Sequence, residues 1–291
     1  MTYLDAVEAE LNRISPGMQG KLWERTPRNA LDLAKSDVAT SWILQVPGFW
    51  GWNAQNPVPK GEEKPGVKTL LVKIQNNIAN AKRTVDITGF GVPSVIGSPA
   101  GPFPDGNFLD AICAGLTLAA VGCVKNNTRL TVRFLTGVLS IDVTADPWGF
   151  YRELKERVGK AAADVIDFRI ASMTTRGMTS YNHSKLVIVD GESVIHGGIN
   201  WMTNYYIEDG PFLSKGYGDK APVTDLDIAL RGPAAASAGR FLDELWEWTL
   251  ANGNWVRTAK PRPGLRASSP PPARTGRCTR ISRHPHRETL T

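Results

Sequence analysis

Cysteine and histidine are scarce in this chain. The three cysteines, Cys113, Cys123 and Cys278, cannot all pair, and the first two lie ten residues apart in an apolar segment. They are expected to be buried free thiols rather than a disulfide framework. The four histidines form no Cys/His cluster at zinc spacing, so the sequence offers no metal site and calls for no cofactor. Long apolar runs are missing too. No stretch approaches the roughly 20 apolar residues of a membrane span, and the longest, Ala111–Val124, is broken by Gly115, Thr117 and Gly122 and reads as a core helix. The first ten residues have neither a basic nor an apolar leader region, so a cytoplasmic location is expected.

An excess of one charge is absent from most of the chain, although the total is +6. Residues 257–291 hold nine Lys/Arg and one Glu, which leaves residues 1–256 with 25 basic and 27 acidic side chains. The body is therefore close to neutral, and the basic character belongs to the tail. A nucleic-acid-binding reading based on whole-chain charge is thus disfavoured. The tail, with six prolines from Pro261 onwards and few apolar residues, is expected to be disordered. It reads either as a functional basic extension or as translation of a GC-rich frame after a frameshift or mis-spliced end.

The 291 residues, 42% of them hydrophobic and nine of them Trp, are enough for one large core. Residues 1–256 read as one domain. Residues 1–40 look mainly helical, Trp42–Trp52 is an aromatic turn, and Asn53–Gly66 is an exposed loop. Helical spacing covers Lys68–Ala81, Phe108–Gly122, Pro147–Ala163 and Ala234–Leu250. Strand patterns cover Arg83–Thr88, Arg129–Leu135, Val165–Ala171, His183–Val189, Ser193–His196 and Asp225–Leu230, and the Pro/Gly-rich stretch Val92–Asp105 is a loop. Alternation of the two types predicts an α/β fold, a layered α-β-α sandwich around a mixed, largely parallel sheet.

One cluster carries chemistry. His183 to Asp190 reads His-Ser-Lys-Leu-Val-Ile-Val-Asp, followed by Gly197, Gly198, Ile199 and Asn200, which is the pattern H-x-K-x4-D-x6-G-G-x-N. An imidazole can attack phosphorus. Lys185, two residues on, shares its side of an extended chain and can neutralise phosphoryl oxygens. Asn200 adds a neutral donor, and the apolar run Leu186–Val189 reads as a buried strand that holds these groups rigidly.

This pattern resembles the HKD motif of the phospholipase D superfamily. Asn182-His183-Ser184-Lys185, Val189-Asp190-Gly191 and Gly197-Gly198-Ile199-Asn200 are similar to the first such motif of secreted Streptomyces-type phospholipases D. Ile14-Ser15-Pro16-Gly17, Val46-Pro47-Gly48, Arg83–Ile87, Ala171–Thr175 and Gly232–Gly239 extend the likeness over residues 3–250, the N-terminal half of that enzyme type.

The resemblance implies a phosphodiesterase that cleaves glycerophospholipid head groups at a membrane surface through a phosphohistidine at His183. Lys185 and Asn200 would hold phosphoryl oxygens, and Asp225 would orient the imidazole, with Asp227 as the alternative. Asp190 would tie down the motif turn, and no metal would be needed. The family uses two motifs; here His196, His284 and His286 start no second one. Phe49 and Leu250 lie where the secreted relatives have loop-closing cysteines. The segment Met202–Pro222, with Tyr205, Tyr206, Phe212 and Tyr217, either lines a substrate mouth or packs over the sheet edge. Three readings follow: a homodimer in which each copy supplies one motif, a half-enzyme that binds phosphate or a partner without turnover, and a nuclease-like phosphodiesterase.

Overall fold

The computed structural model of the protein describes residues 2–20, 23–31, 42–46, 64–91, 104, 106–137, 146–173, 182–201, 225–252 and 255–258. Its strands are β1 (Ala30–Leu31), β2 (Ile43–Val46), β3 (Thr84–Phe90), β4 (Leu130–Gly137), β5 (Ile166–Met173), β6 (Leu186–Val189), β7 (Ser193–Gly197), β8 (Asp225–Arg231) and β9 (Trp255–Thr258). Its helices are α1 (Tyr3–Ile14), α2 (Lys64–Ala79), α3 (Gly106–Asn126), α4 (Pro147–Val158), α5 (Lys160–Ala163) and, last, α6 (Pro233–Ala251).

The strands form one sheet in the order β1-β8-β7-β6-β3-β4-β5-β9, with β2 also paired to β8. The expected α/β architecture with a mixed sheet is what the chain adopts. The parallel part is narrower than expected, because among the described strands only β3–β4 and β4–β5 run parallel. The reason is the connections. Long helical crossovers, α3 and α4–α5, join β3 to β4 to β5, whereas three residues join β6 to β7 and force a hairpin.

Strand β6 shows why the sheet is the middle layer. Val187 and Val189 pack into a core with Leu70, Ile74 and Ile78 of α2 and Ile112 and Leu116 of α3. Leu186 and Ile188, on the other face, pack with Leu242 and Trp246 of α6. All four β6 side chains are buried, contributing roughly 1.5–3 kcal/mol each before entropy is counted. A run of aliphatic residues buried on both faces is what a central strand requires. On the α6 face, Arg133 of β4 binds Asp86 of β3 at 2.6 and 3.0 Å and Asp243 of α6 at 2.7 Å, tying that helix to the sheet.

Several boundaries differ from the sequence expectations. Helix in residues 1–40 is confined to α1 among the described residues, since Gly17 and Gly20 take positive φ and Ala30–Leu31 pairs with β8. Pro147–Ala163 is two helices, broken at Gly159 with φ 79. Part of the aromatic turn is strand β2, and Lys64–Gly66 of the expected loop belongs to α2. Helix α3 is long and apolar enough to cross a membrane, contrary to the sequence reading, yet ten of its residues are buried in the core. Cys113 and Cys123 are buried and free, and burial pushes the Cys113 thiol up to about 12. Strand β9 carries pairing with β5 two residues past position 256. Phe49, Cys278, Met202–Pro222, residues 259–291 and, except for Pro104, Val92–Asp105 lie outside the described residues.

Candidate active site

The motif residues gather at one edge of the sheet. The parallel strands β3, β4 and β5 end there, at Phe90, Gly137 and Met173, and the antiparallel register brings the start of β6, the end of β7 and the start of β8 to the same edge. The carboxyl ends of parallel strands are where open α/β sheets bind ligands. His183 itself lies just before β6 rather than in it, because the ladder begins at Leu186.

His183 and Lys185 meet directly. The Lys185 Nζ lies 2.9 Å from His183 Nδ1 and 3.2 Å from Nε2, and it donates to the His183 carbonyl at 2.9 Å. His183 is exposed, with Phe90 against its ring at 4.8 Å between centroids. Partial desolvation of the ring by its neighbours and the adjacent ammonium both hold its pKa below the usual 6.5. Both effects favour the unprotonated ring, the state a nucleophile needs. Lys185 is buried, which pulls its pKa down to about 8 against the opposing pull of Asp225 and Asp227. At neutral pH it still carries its proton.

The Gly-Gly pair makes room for those carboxylates. A Cβ on Gly198 would overlap Asp225 Oδ1 and lie 2.6 Å from Oδ2, and a Cβ on Gly197 would overlap Asp227 Oδ1 and Leu226 O. Asp227 is 2% exposed and accepts the Ile199 N–H at 3.1 Å, which fixes the residue before buried Asn200. Burial, with Asp225 adding to it, pushes the Asp227 carboxyl up to about 7 despite that hydrogen bond and Lys185. Asp225 accepts the Leu226 N–H at 2.8 Å. Both aspartates named from the sequence thus reach the site.

Asp190 does not. It sits at the far end of β6, roughly 16 Å from Lys185 at about 3.3 Å per residue. There its carboxylate accepts the N–H groups of Lys82, Arg83 and Thr84 at 2.9, 2.8 and 2.8 Å, clamping the entry to β3. Its φ of 55° suits an Asp in a tight turn. This position fits the turn-holding part the sequence suggested for it.

Sequence reasoning gave no part to Thr88, Phe90, Asn182, Ser184 or His196. Asn182 donates to Thr88 Oγ1 at 2.7 Å and accepts the Ser184 hydroxyl at 2.6 Å, while its carbonyl packs where Gly137 has no Cβ. His196 Nδ1 lies 2.9 Å from the Lys185 carbonyl, so it is the donor in that contact. Strand β3 reads Thr-Val-Asp-Ile-Thr-Gly-Phe, and among its alternating polar residues Thr88 carried no signal of its own. Among the described residues no three His, Cys, Asp or Glu side chains are grouped to hold a metal.

No protein-family model matches the chain. Over 264 residues it is 39% identical to phospholipase D of Streptomyces antibioticus, an alignment covering 88% of this chain and 42% of that protein. The chain thus spans less than half the length of this curated relative. Among solved structures it is similar to NucT from Helicobacter pylori (13% identity, 62% of this chain and 89% of that one, TM-score 0.36). A second is Nuc from Salmonella typhimurium, described as a phospholipase D family member (14%, 65% and 90%, 0.32). A third is phosphatidylserine synthase from Haemophilus influenzae Rd KW20 (18%, 67% and 38%, 0.41).

Proposed function

The chain belongs to the phospholipase D superfamily, and we propose that it is a phosphodiesterase cleaving glycerophospholipid head groups through a phosphohistidine on His183. The observation that carries this reading is the contact between an imidazole biased towards its neutral form and a buried ammonium at the open edge of the sheet. In the first step a ring nitrogen of His183 attacks phosphorus and the P–O bond to the head-group alcohol breaks, the alcohol taking a proton as it leaves. Water then attacks phosphorus, the P–N bond breaks, and the water proton passes to a base. Lys185 and Asn200 stabilise the phosphoryl oxygens as charge builds up. Asp225, held beside Gly198, orients the imidazole and takes up its developing charge.

The sequence carries one H-x-K-x4-D, and in this reading the proton donor is the matching histidine of a second copy. A second copy meeting the first about a twofold axis brings two His–Lys pairs together. Size exclusion alongside choline release from phosphatidylcholine vesicles tests this. A dimer that releases choline, and a His183→Ala variant that stays dimeric and releases none, are expected. A monomer without choline release would overturn the reading in favour of a half-enzyme, and cleavage of DNA but not phospholipid would favour a nuclease.

A further inference from the structure

Asn182 and Ser184 flank the nucleophile on both sides, and both bond to the same residue of a neighbouring strand. Asn182 Nδ2 donates to Thr88 Oγ1 at 2.7 Å, and Ser184 Oγ donates to Asn182 Oδ1 at 2.6 Å. Thr88 Oγ1 and Ser184 Oγ lie 3.3 Å apart. The single hydroxyl proton of Ser184 is already committed to Asn182, so Thr88 must be the donor in that third contact. The three side chains therefore form a closed ring in which every donor points the same way round, the arrangement in which hydrogen bonds reinforce one another.

We infer that the Thr88–Asn182–Ser184 ring is a positioning device that fixes the backbone of His183 for attack, an inference that rests on the phosphodiesterase reading. Side chains alternate along an extended chain. Asn182 and Ser184 turn towards Thr88, while His183 and Lys185 turn to the other side and meet each other. The nucleophile is thereby held from behind, by groups that do not touch the reacting atoms. Thr88 is fully buried and Asn182 nearly so, which shields the bond between them from water, while Ser184 is half-buried. Thr88 faces Leu186 across the β3–β6 ladder, which makes the ring the link between the motif and the centre of the sheet. The Asn182 carbonyl presses on Gly137 at the end of β4, fixing the same segment from a second strand.

The test uses the full-length chain and three variants. Thr88→Val keeps the shape and removes the hydroxyl, Ser184→Ala removes the shared proton, and Thr88→Ser restores the ring. With bis(p-nitrophenyl) phosphate as substrate, Thr88→Val and Ser184→Ala are expected to lower kcat at least tenfold with KM within twofold, and Thr88→Ser to stay within threefold of the parent. Amide hydrogen exchange at His183 and Ser184 is expected to quicken at least tenfold in Thr88→Val and Ser184→Ala and to stay at the parent rate in Thr88→Ser. Parent-like kcat in Thr88→Val, or equal damage in Thr88→Ser, would overturn the inference. Should the parent not turn over this substrate, the phosphodiesterase reading fails and exchange decides the ring on its own: unchanged protection in Thr88→Val refutes it. Where Thr88→Val does not fold, Ser184→Ala, at a partly exposed position, carries the same comparisons.

Discussion

Replacing Asp190 separates holding the motif from performing the chemistry. Its carboxylate is the acceptor for three consecutive backbone N–H groups, those of Lys82, Arg83 and Thr84, and it sits at φ 55°. In Asp190→Ala the exposed Lys82 N–H rehydrates at a cost of about 0.5 kcal/mol, whereas the two half-buried donors lose about 1–1.5 kcal/mol each. An alanine forced into the left-handed region adds about 1 kcal/mol. The sum, about 3.5–4.5 kcal/mol, corresponds to a Tm lower by about 7–18 °C for a domain of this size. Asp190→Asn tolerates the backbone and keeps one acceptor oxygen, so about half that loss is expected. Thermal melts of the three proteins give the stability order. Turnover of bis(p-nitrophenyl) phosphate, read at least 15 °C below the lowest midpoint, should then differ by less than threefold. Parent-like melting with turnover abolished would place Asp190 in the chemistry and refute its role as a clamp.

Three further outcomes follow from the site. Gly198→Ala puts a Cβ into the Asp225 carboxylate, so a loss of kcat of at least a hundredfold is expected, with near-UV circular dichroism showing whether the fold is kept. The Asp227 carboxyl, raised from 3.8 to about 7, binds more protons folded than unfolded. Parent stability is therefore fully present below the unfolded value and is lost as pH rises through about 7, by up to about 4 kcal/mol. Asp227→Asn keeps the acceptor for Ile199 and should melt above the parent at pH 8 and not at pH 4; a gap that is the same at both pH values would count against the assignment. The pH profile of kcat should fall on the acid side as His183 protonates, below its usual 6.5, and on the alkaline side around 8 as Lys185 loses its charge. A plateau extending to pH 10 would exclude Lys185 as the working cation.

Local chemistry was legible in the sequence. The two-residue spacing of His183 and Lys185 puts them in contact, and the run Leu186–Val189 is the buried strand it looked like. Asp225 and Asp227 were both named, and the Gly-Gly pair explains how both fit. What stayed hidden depends on long-range pairing. Thr88 reaches Asn182 only because β3 and β6 pair antiparallel in a register that sets Thr88 opposite Leu186. No local period encodes that register. The extent of the parallel sheet was obscured for the same reason, since strand direction follows from connections and not from strand composition. Helix ends were missed where one glycine decides, as at Gly159.

The nucleophile is the centre of this account, and trapping it is the direct measurement. The protein is mixed with excess bis(p-nitrophenyl) phosphate, quenched in alkali, digested and mapped by mass spectrometry. A phosphoryl adduct that is stable in alkali and labile in acid, on the peptide carrying His183 and absent from His183→Ala, is expected together with a burst of p-nitrophenol matching the adduct. Steady turnover with no adduct, or an adduct on any other residue, would contradict it.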